Sequence, residues 1–136
     1  MNYSSLLIKD YEYWSVYIAE NQCYLGRCTI WCKRENATDM TEATEAEHLE
    51  FLLIIKMLKK AVEKAFQADW LNYAFLGNEV QHLHCHFIPR YSSYRLFANM
   101  FFLDNRWGQN YLTNKNFITP PNILEAIRLE IQKMLD

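Results

Sequence analysis

The sequence predicts an α+β fold: an antiparallel sheet with one long helix packed on a face and a second helix at the C-terminal end. Three observations carry this. Two runs rich in aromatic and β-branched residues come first, a long stretch of helical period follows, and two more strand-like runs after it flank a short Gly77-Asn78 turn. That order is unlike the strand-helix alternation of a parallel doubly wound sheet. A chain of 136 residues is long enough to bury one core without staples, and no repeat or Ser/Gly/Pro-rich linker divides it. One domain over 1–136 is expected, with its core over about 11–91 and a C-terminal extension over about 92–136.

The first strand is expected over Tyr11–Ala19 (YEYWSVYIA) and the second over Arg27–Lys33 (RCTIWCK), joined through Asn21–Gly26. The period then changes. Leu49, Leu52, Leu53, Met57, Ala61, Val62, Ala65 and Phe66 recur at helical spacing, with Lys56, Lys59, Lys60, Glu63 and Lys64 between them as a solvated side. Thr44-Glu45-Ala46-Glu47 has the form of a capping box, so the helix is placed from near Thr44 to near Gln67, covering one face of the sheet. Trp70–Leu76 reads as a strand, Gly77-Asn78 as a turn and Val80–Pro89 as the returning strand of a hairpin. Tyr91–Thr119 is aromatic and irregular with no clean period. Pro120-Pro121 then opens an amphipathic helix carrying Ile123, Leu124, Ile127, Ile131, Met134 and Leu135 on one stripe, proline suiting a first helical turn.

Composition narrows the function classes. With 14 Lys+Arg against 16 Asp+Glu the net charge is −2, which disfavours a duplex nucleic-acid binder, since affinity there comes from basic side chains neutralising phosphates. The longest uncharged apolar run, Phe51–Ile55, is far short of a bilayer span, and Met1–Asp10 lacks the basic start and apolar stretch of an export signal, so no membrane association and a cytoplasmic location are expected. Cys23, Cys28, Cys32 and Cys85 form no CxxC pair, and Cys85 lies within a strand pattern. Free thiols rather than a disulfide framework are expected.

Three of the four histidines stand at His82, His84 and His86, alternating with Leu83, Cys85 and Phe87. On a strand, residues two apart share a face at a spacing of about 7 Å, so the imidazoles form one row while Leu83, Cys85 and Phe87 point into the core. Imidazole titrates nearest neutrality, and neighbouring rings can divide the tasks of nucleophile, proton donor and orienting group, which fits phosphoryl or nucleotidyl transfer. A metal site is the second chemistry open to His-x-His on a strand. No nearby Asp or Glu follows the row to complete a mixed site, and Cys85 faces away, so no metal is assigned. His48, in the first turns of the long helix, reads as solvent-exposed.

His82-Leu83-His84-Cys85-His86-Phe87-Ile88 matches the histidine triad pattern, in which three histidines alternate with apolar residues, at every position. Together with Asn72-Tyr73, Gly77-Asn78, Pro89-Arg90-Tyr91 and the stretch Trp107–Tyr111, the chain resembles the histidine triad (HIT) family, and within it bacterial members related to diadenosine polyphosphate hydrolases. The resemblance implies a nucleotide hydrolase or transferase acting on a nucleoside α-phosphate, most often a homodimer whose two sheets join, with no cofactor. Carried over by motif position, His84 is the nucleophile that forms a nucleotidyl-histidine intermediate, His86 lies by the phosphate and leaving oxygen, and His82 holds the catalytic rings in place. Asn78 and Asn72 fall at phosphate-side positions, Arg27 offers a cation to a phosphate or leaving group, and Asn21 is a ribose-binding candidate. Two departures from the family pattern stand out: Gly26-Arg27 replaces a Gly-His pair, and Cys32-Lys33-Arg34-Glu35 replaces a Pro-Lys-x-His stretch. Dinucleoside polyphosphates are the leading substrate class; the alternatives are nucleoside phosphoramidates, or a non-catalytic nucleotide- or zinc-binding role.

Overall fold

The computed structural model describes residues 3–136. A short 3-10 turn leads into β1 (Leu7–Asp10), followed by β2 (Trp14–Ile18), β3 (Cys28–Cys32), α1 (Glu45–Phe66), β4 (Trp70–Ala74), β5 (His84–Arg90), β6 (Arg95–Phe97), β7 (Met100–Phe102) and α2 (Pro121–Leu135). Five strands make an antiparallel sheet in the order β1-β2-β3-β5-β4, and β6 and β7 form a separate hairpin. The expected α+β architecture is therefore the observed one.

Register assigns each strand residue to a face. Ile30 of β3 pairs with Val16 on one side and Cys85 on the other, and Cys28 with Ile18 and Phe87. All six are buried under α1, together with Trp14, Cys32 and Leu83. Leu83, Cys85 and Phe87 thus point into the core, as their alternation predicts. Burial pushes the Cys85 thiol up to about 12, and all four cysteines are unbridged.

Helix α1 begins as its sequence dictates. Thr44 Oγ1 accepts from the Glu47 backbone N–H at 3.1 Å, and the Glu47 carboxylate accepts from the Thr44 N–H at 2.8 Å, so two otherwise orphaned donors are satisfied reciprocally. Its sheet-facing side is Phe51, Ile54, Leu58, Ala61, Val62 and Phe66. The expected stripe was only half right, because Leu49, Leu52, Leu53 and Met57 face solvent. The helix is apolar on two sides, and the sheet covers one.

Three other expectations need correction. The expected first strand, Tyr11–Ala19, is β2 alone, and a strand outside that run, β1, precedes it: the chain reverses after Asp10, with the Tyr11 N–H on the Trp14 carbonyl, and β1 is too short at four residues to show alternation. The hairpin after α1 is not tight, since Ala74 already pairs with His86 and the whole stretch 75–85 lies between them. Leu83 explains this: its N–H donates to the Ala37 carbonyl and its carbonyl accepts from the Cys32 N–H, drawing the segment before His84 towards β3 and away from β4. Gly77, at φ +68°, turns the chain inside that longer loop. Finally, the segment after Tyr91 contains the β6–β7 hairpin, turned by Ala98 and Asn99 in left-handed conformation, whose three-residue strands carry no readable period.

Helix α2 buries Ile123, Ile127 and Ile131 beside α1. Arg128 Nη1 donates to the Leu7 carbonyl at 2.8 Å and Gln132 Nε2 to the Ile8 carbonyl at 2.8 Å, so α2 closes the β1 edge of the sheet. Among the described residues, no helix is long and apolar enough to cross a membrane.

Candidate active site

The face of the sheet away from α1 carries the alternate residues. Thr29 pairs with His86 and Trp31 with His84 across β3 and β5, while Ala74 pairs with His86 and Asn72 with Ile88 across β5 and β4. His84 and His86 therefore stand side by side there, ring centroids 5.0 Å apart and nearly perpendicular.

His82 joins them by other means, since β5 begins only at His84. Its ring stacks on Trp31 at 4.1 Å with planes 13° apart, and its Nε2 bonds to the Cys32 carbonyl at 2.6 Å. A carbonyl only accepts, so Nε2 carries the hydrogen. The same logic fixes the middle ring. His84 Nδ1 lies 2.5 Å from the His82 carbonyl and must donate to it, which leaves the Nε2 lone pair of a neutral ring unoccupied. The sequence shows neither bond, because both acceptors are backbone oxygens.

His86 has a different neighbour. Arg27 Nη2 lies 3.4 Å from its Nδ1, and since a guanidinium only donates, Nδ1 is the lone-pair nitrogen and Nε2 the N–H. Burial, then the charge of Arg27 and then His84 depress this imidazole to about 4, so it is neutral at pH 7. Arg27 itself is held on three sides: Nη1 donates to Thr113 Oγ1 at 2.6 Å, the guanidinium lies 5.4 Å over the Tyr111 ring, and the side chain is buried. Arg27 thus lies within reach of the row, brought there across 59 residues of chain. Trp31, Tyr111 and Thr113 complete the site and were given no role there from the sequence, although Tyr111 ends the Trp107–Tyr111 stretch that resembles the family. Pairing the expected second strand with the histidine strand is the one signal that points to Trp31, while Tyr111 and Thr113 sit in a segment without period.

The three asparagines fall in different places. Asn72 is on the histidine face, its Oδ1 accepting from Arg90 Nη1 at 2.8 Å. Asn78 is exposed in the loop between β4 and β5. Asn21 is occupied at both ends of its amide, Nδ2 donating to the Asn114 carbonyl at 2.8 Å and Oδ1 accepting from the Cys23 N–H at 3.0 Å, so it clamps its turn to the 114 segment. His48 is half-buried, its Nε2 donating to the Met40 carbonyl at 2.7 Å, rather than solvent-exposed as its position suggested. Among the described residues, no group of three or more His, Cys, Asp or Glu side chains is placed to hold a metal ion.

The HIT domain family model matches residues 23–93, just over half of the chain. In fold the chain is similar to a histidine triad (HIT) protein from Sinorhizobium meliloti, with TM-score 0.78 and 16% identity over 94% of this chain and 87% of that one. It is also similar to a histidine triad protein from Marinobacter aquaeolei, with TM-score 0.76 and 18% identity over 98% and 91% of the two chains. A Plasmodium falciparum diadenosine triphosphate hydrolase shares the fold at TM-score 0.66 and 14% identity, over 95% of this chain and 75% of that one. No curated protein sequence matches the chain. With the family model spanning both strands that build the histidine face, the chain belongs to the HIT domain family.

Proposed function

We propose that this protein hydrolyses dinucleoside polyphosphates at a nucleoside α-phosphate, with His84 as the nucleophile. The observation that carries the proposal is the bond from His84 Nδ1 to the His82 carbonyl, which turns the Nε2 lone pair outward on the face shared with His86 and Arg27. Membership of the HIT family, which implies nucleotide binding or hydrolase-type chemistry, and the fold shared with a diadenosine triphosphate hydrolase support it.

In the first step His84 Nε2 forms a bond to the α-phosphorus while the bond from phosphorus to the bridging oxygen breaks, and the leaving nucleotide departs with that electron pair. In the second step water attacks phosphorus, the phosphorus–nitrogen bond breaks, and the water proton passes to solvent as the nucleoside monophosphate leaves. Covalent catalysis of this kind divides one displacement into two. The leaving polyphosphate is a stable anion that requires charge stabilisation rather than a proton, and Arg27 with the neutral Nε2–H of His86 supplies it. An amine leaving group requires delivery of a proton, and with the Arg27 guanidinium 3.4 Å from its Nδ1, His86 is a weak proton source, which favours anhydrides over phosphoramidates. Asn78 and the backbone around Gly77 are the remaining phosphate-side candidates, and Asn72 stands at the outer end of the row.

The working unit proposed is a homodimer. Leu49, Leu52, Leu53 and Met57 form an exposed apolar stripe on α1, next to the open β4 edge with exposed Tyr73, Phe75 and Leu76. A second copy adding its β4 covers both at once.

Turnover of diadenosine tetraphosphate and adenosine phosphoramidate by the protein and its His84→Ala variant tests the reaction. Preference for the anhydride and a loss of about 10⁴-fold or more in kcat on substitution are expected. Undiminished turnover in His84→Ala overturns the assignment of the nucleophile.

A further inference from the structure

A cleft of about 690 Å³ opens beside the histidine row, between β4 and the loop at 107–111. Trp70, Asn72, Arg90, Trp107, Gln109 and Tyr111 are among the residues lining it. Register places Trp70, Asn72 and Arg90 of its lining on the catalytic face, with Ala74 opposite His86, Asn72 opposite Ile88 and Trp70 opposite Arg90, while Leu71 and Tyr73 carry the cleft to the β4 edge. Two residues along β5 from His86 reach the level of Asn72, a distance of about 7 Å, and four reach the level of Trp70, about 13 Å. Tyr111 belongs to both places, since it lines the cleft and also lies under Arg27, which contacts His86.

The lining decides what the cleft can hold. Its one charged side chain, Arg90, is 3% exposed and already committed: Nε and Nη2 donate to Asp104 at 2.7 and 3.0 Å, Nη1 to Asn72 Oδ1 and the Gln109 carbonyl, and Nη2 also to the Arg106 carbonyl. No free cation remains for a phosphate. The cleft offers instead two indoles, Trp70 at 66% and Trp107 at 45% exposure, and amides. Because Arg90 takes Asn72 Oδ1, the Asn72 NH₂ is left as the donating end. Flat rings with a few oriented polar groups suit a neutral aromatic heterocycle.

We propose that this cleft receives the second nucleoside of the substrate, the one carried off with the leaving polyphosphate, its base against Trp70 and Trp107. The proposal rests on the dinucleoside polyphosphate reading above. It makes the protein selective for a nucleoside at both ends of the phosphate chain, not only at the attacked end.

The test compares the affinities of diadenosine tetraphosphate and adenosine 5′-tetraphosphate, which has the same phosphate chain without the second adenosine. Both are titrated calorimetrically into the His84→Ala protein, where turnover does not interfere. An advantage of about tenfold or more for the dinucleotide is expected, as is its loss when Trp70→Ala and Trp107→Ala are added together. No advantage, or one that survives both substitutions, overturns the proposal. So does sedimentation showing that the two substitutions dissociate the protein, since the cleft is then a contact between copies. Binding of neither ligand overturns the nucleotide reading itself, and the proposal falls with it.

Discussion

From His82 to Phe87, side chains facing α1 and side chains facing the catalytic side alternate at about 3.3 Å per residue and are held by unlike forces. Leu83, Cys85 and Phe87 are fixed by burial in one continuous apolar cluster with Trp14, Ile30, Ile54 and Leu58. His82, His84 and His86 are oriented by directed contacts, two to backbone carbonyls and one to Arg27, with Trp31 stacked on His82. The first face draws its strength from area, which any well-fitting apolar side chain supplies. The second depends on which nitrogen carries a hydrogen, which no other residue type reproduces. Stability and chemistry are thus separated by a single residue step, and substitutions on the two faces are expected to divide accordingly.

Phe87→Ala offers the sharpest break. It removes a fully buried ring, and a loss of about 3–5 kcal/mol in unfolding free energy is expected from chemical denaturation. His84→Ala, one face over, is expected to cost far less stability while abolishing turnover. A Phe87→Ala protein that keeps its full stability, or a His84→Ala protein that loses as much as Phe87→Ala does, contradicts the division.

A smaller effect comes from pH. His86 titrates at about 4 in the folded protein, against the ordinary imidazole value of about 6.5 in an unfolded chain, so on acidification the unfolded chain takes up this proton first. The contribution is fully present above about pH 6.5 and declines as pH falls towards 4. His86→Asn is therefore expected to flatten the stability profile between those limits. Following the His86 ring by NMR gives the direct check: Arg27→Ala is expected to raise its pKa, and an unchanged titration denies Arg27 its place beside the ring.

The same division explains what was legible in the sequence. The core face of β5, the Thr44–Glu47 cap and the proline start of α2 are local patterns, readable within a few residues. The triad itself is a local pattern too. What fixes it is not: Arg27 comes from 59 residues away, Thr113 from 86 residues beyond Arg27, and the acceptors that orient His82 and His84 are backbone oxygens common to every residue. β1 is held partly by Arg128 and Gln132 of a helix at the other end of the chain, so its four residues say little alone. The tight hairpin expected at Gly77-Asn78 fails because Leu83 finds backbone partners at Cys32 and Ala37. The apolar residues of α1 were read as one stripe where the fold has two, because periodicity reports that a face is apolar and not what covers it.

The central claim, that His84 Nε2 attacks phosphorus, is tested most directly by mass spectrometry of protein quenched in base during turnover of diadenosine tetraphosphate. A mass increase of one adenylyl group on the peptide bearing His84, absent in His84→Ala, is the expected result. An adduct on His82 or His86, or steady turnover with no adduct in a His84→Ala protein, would contradict it.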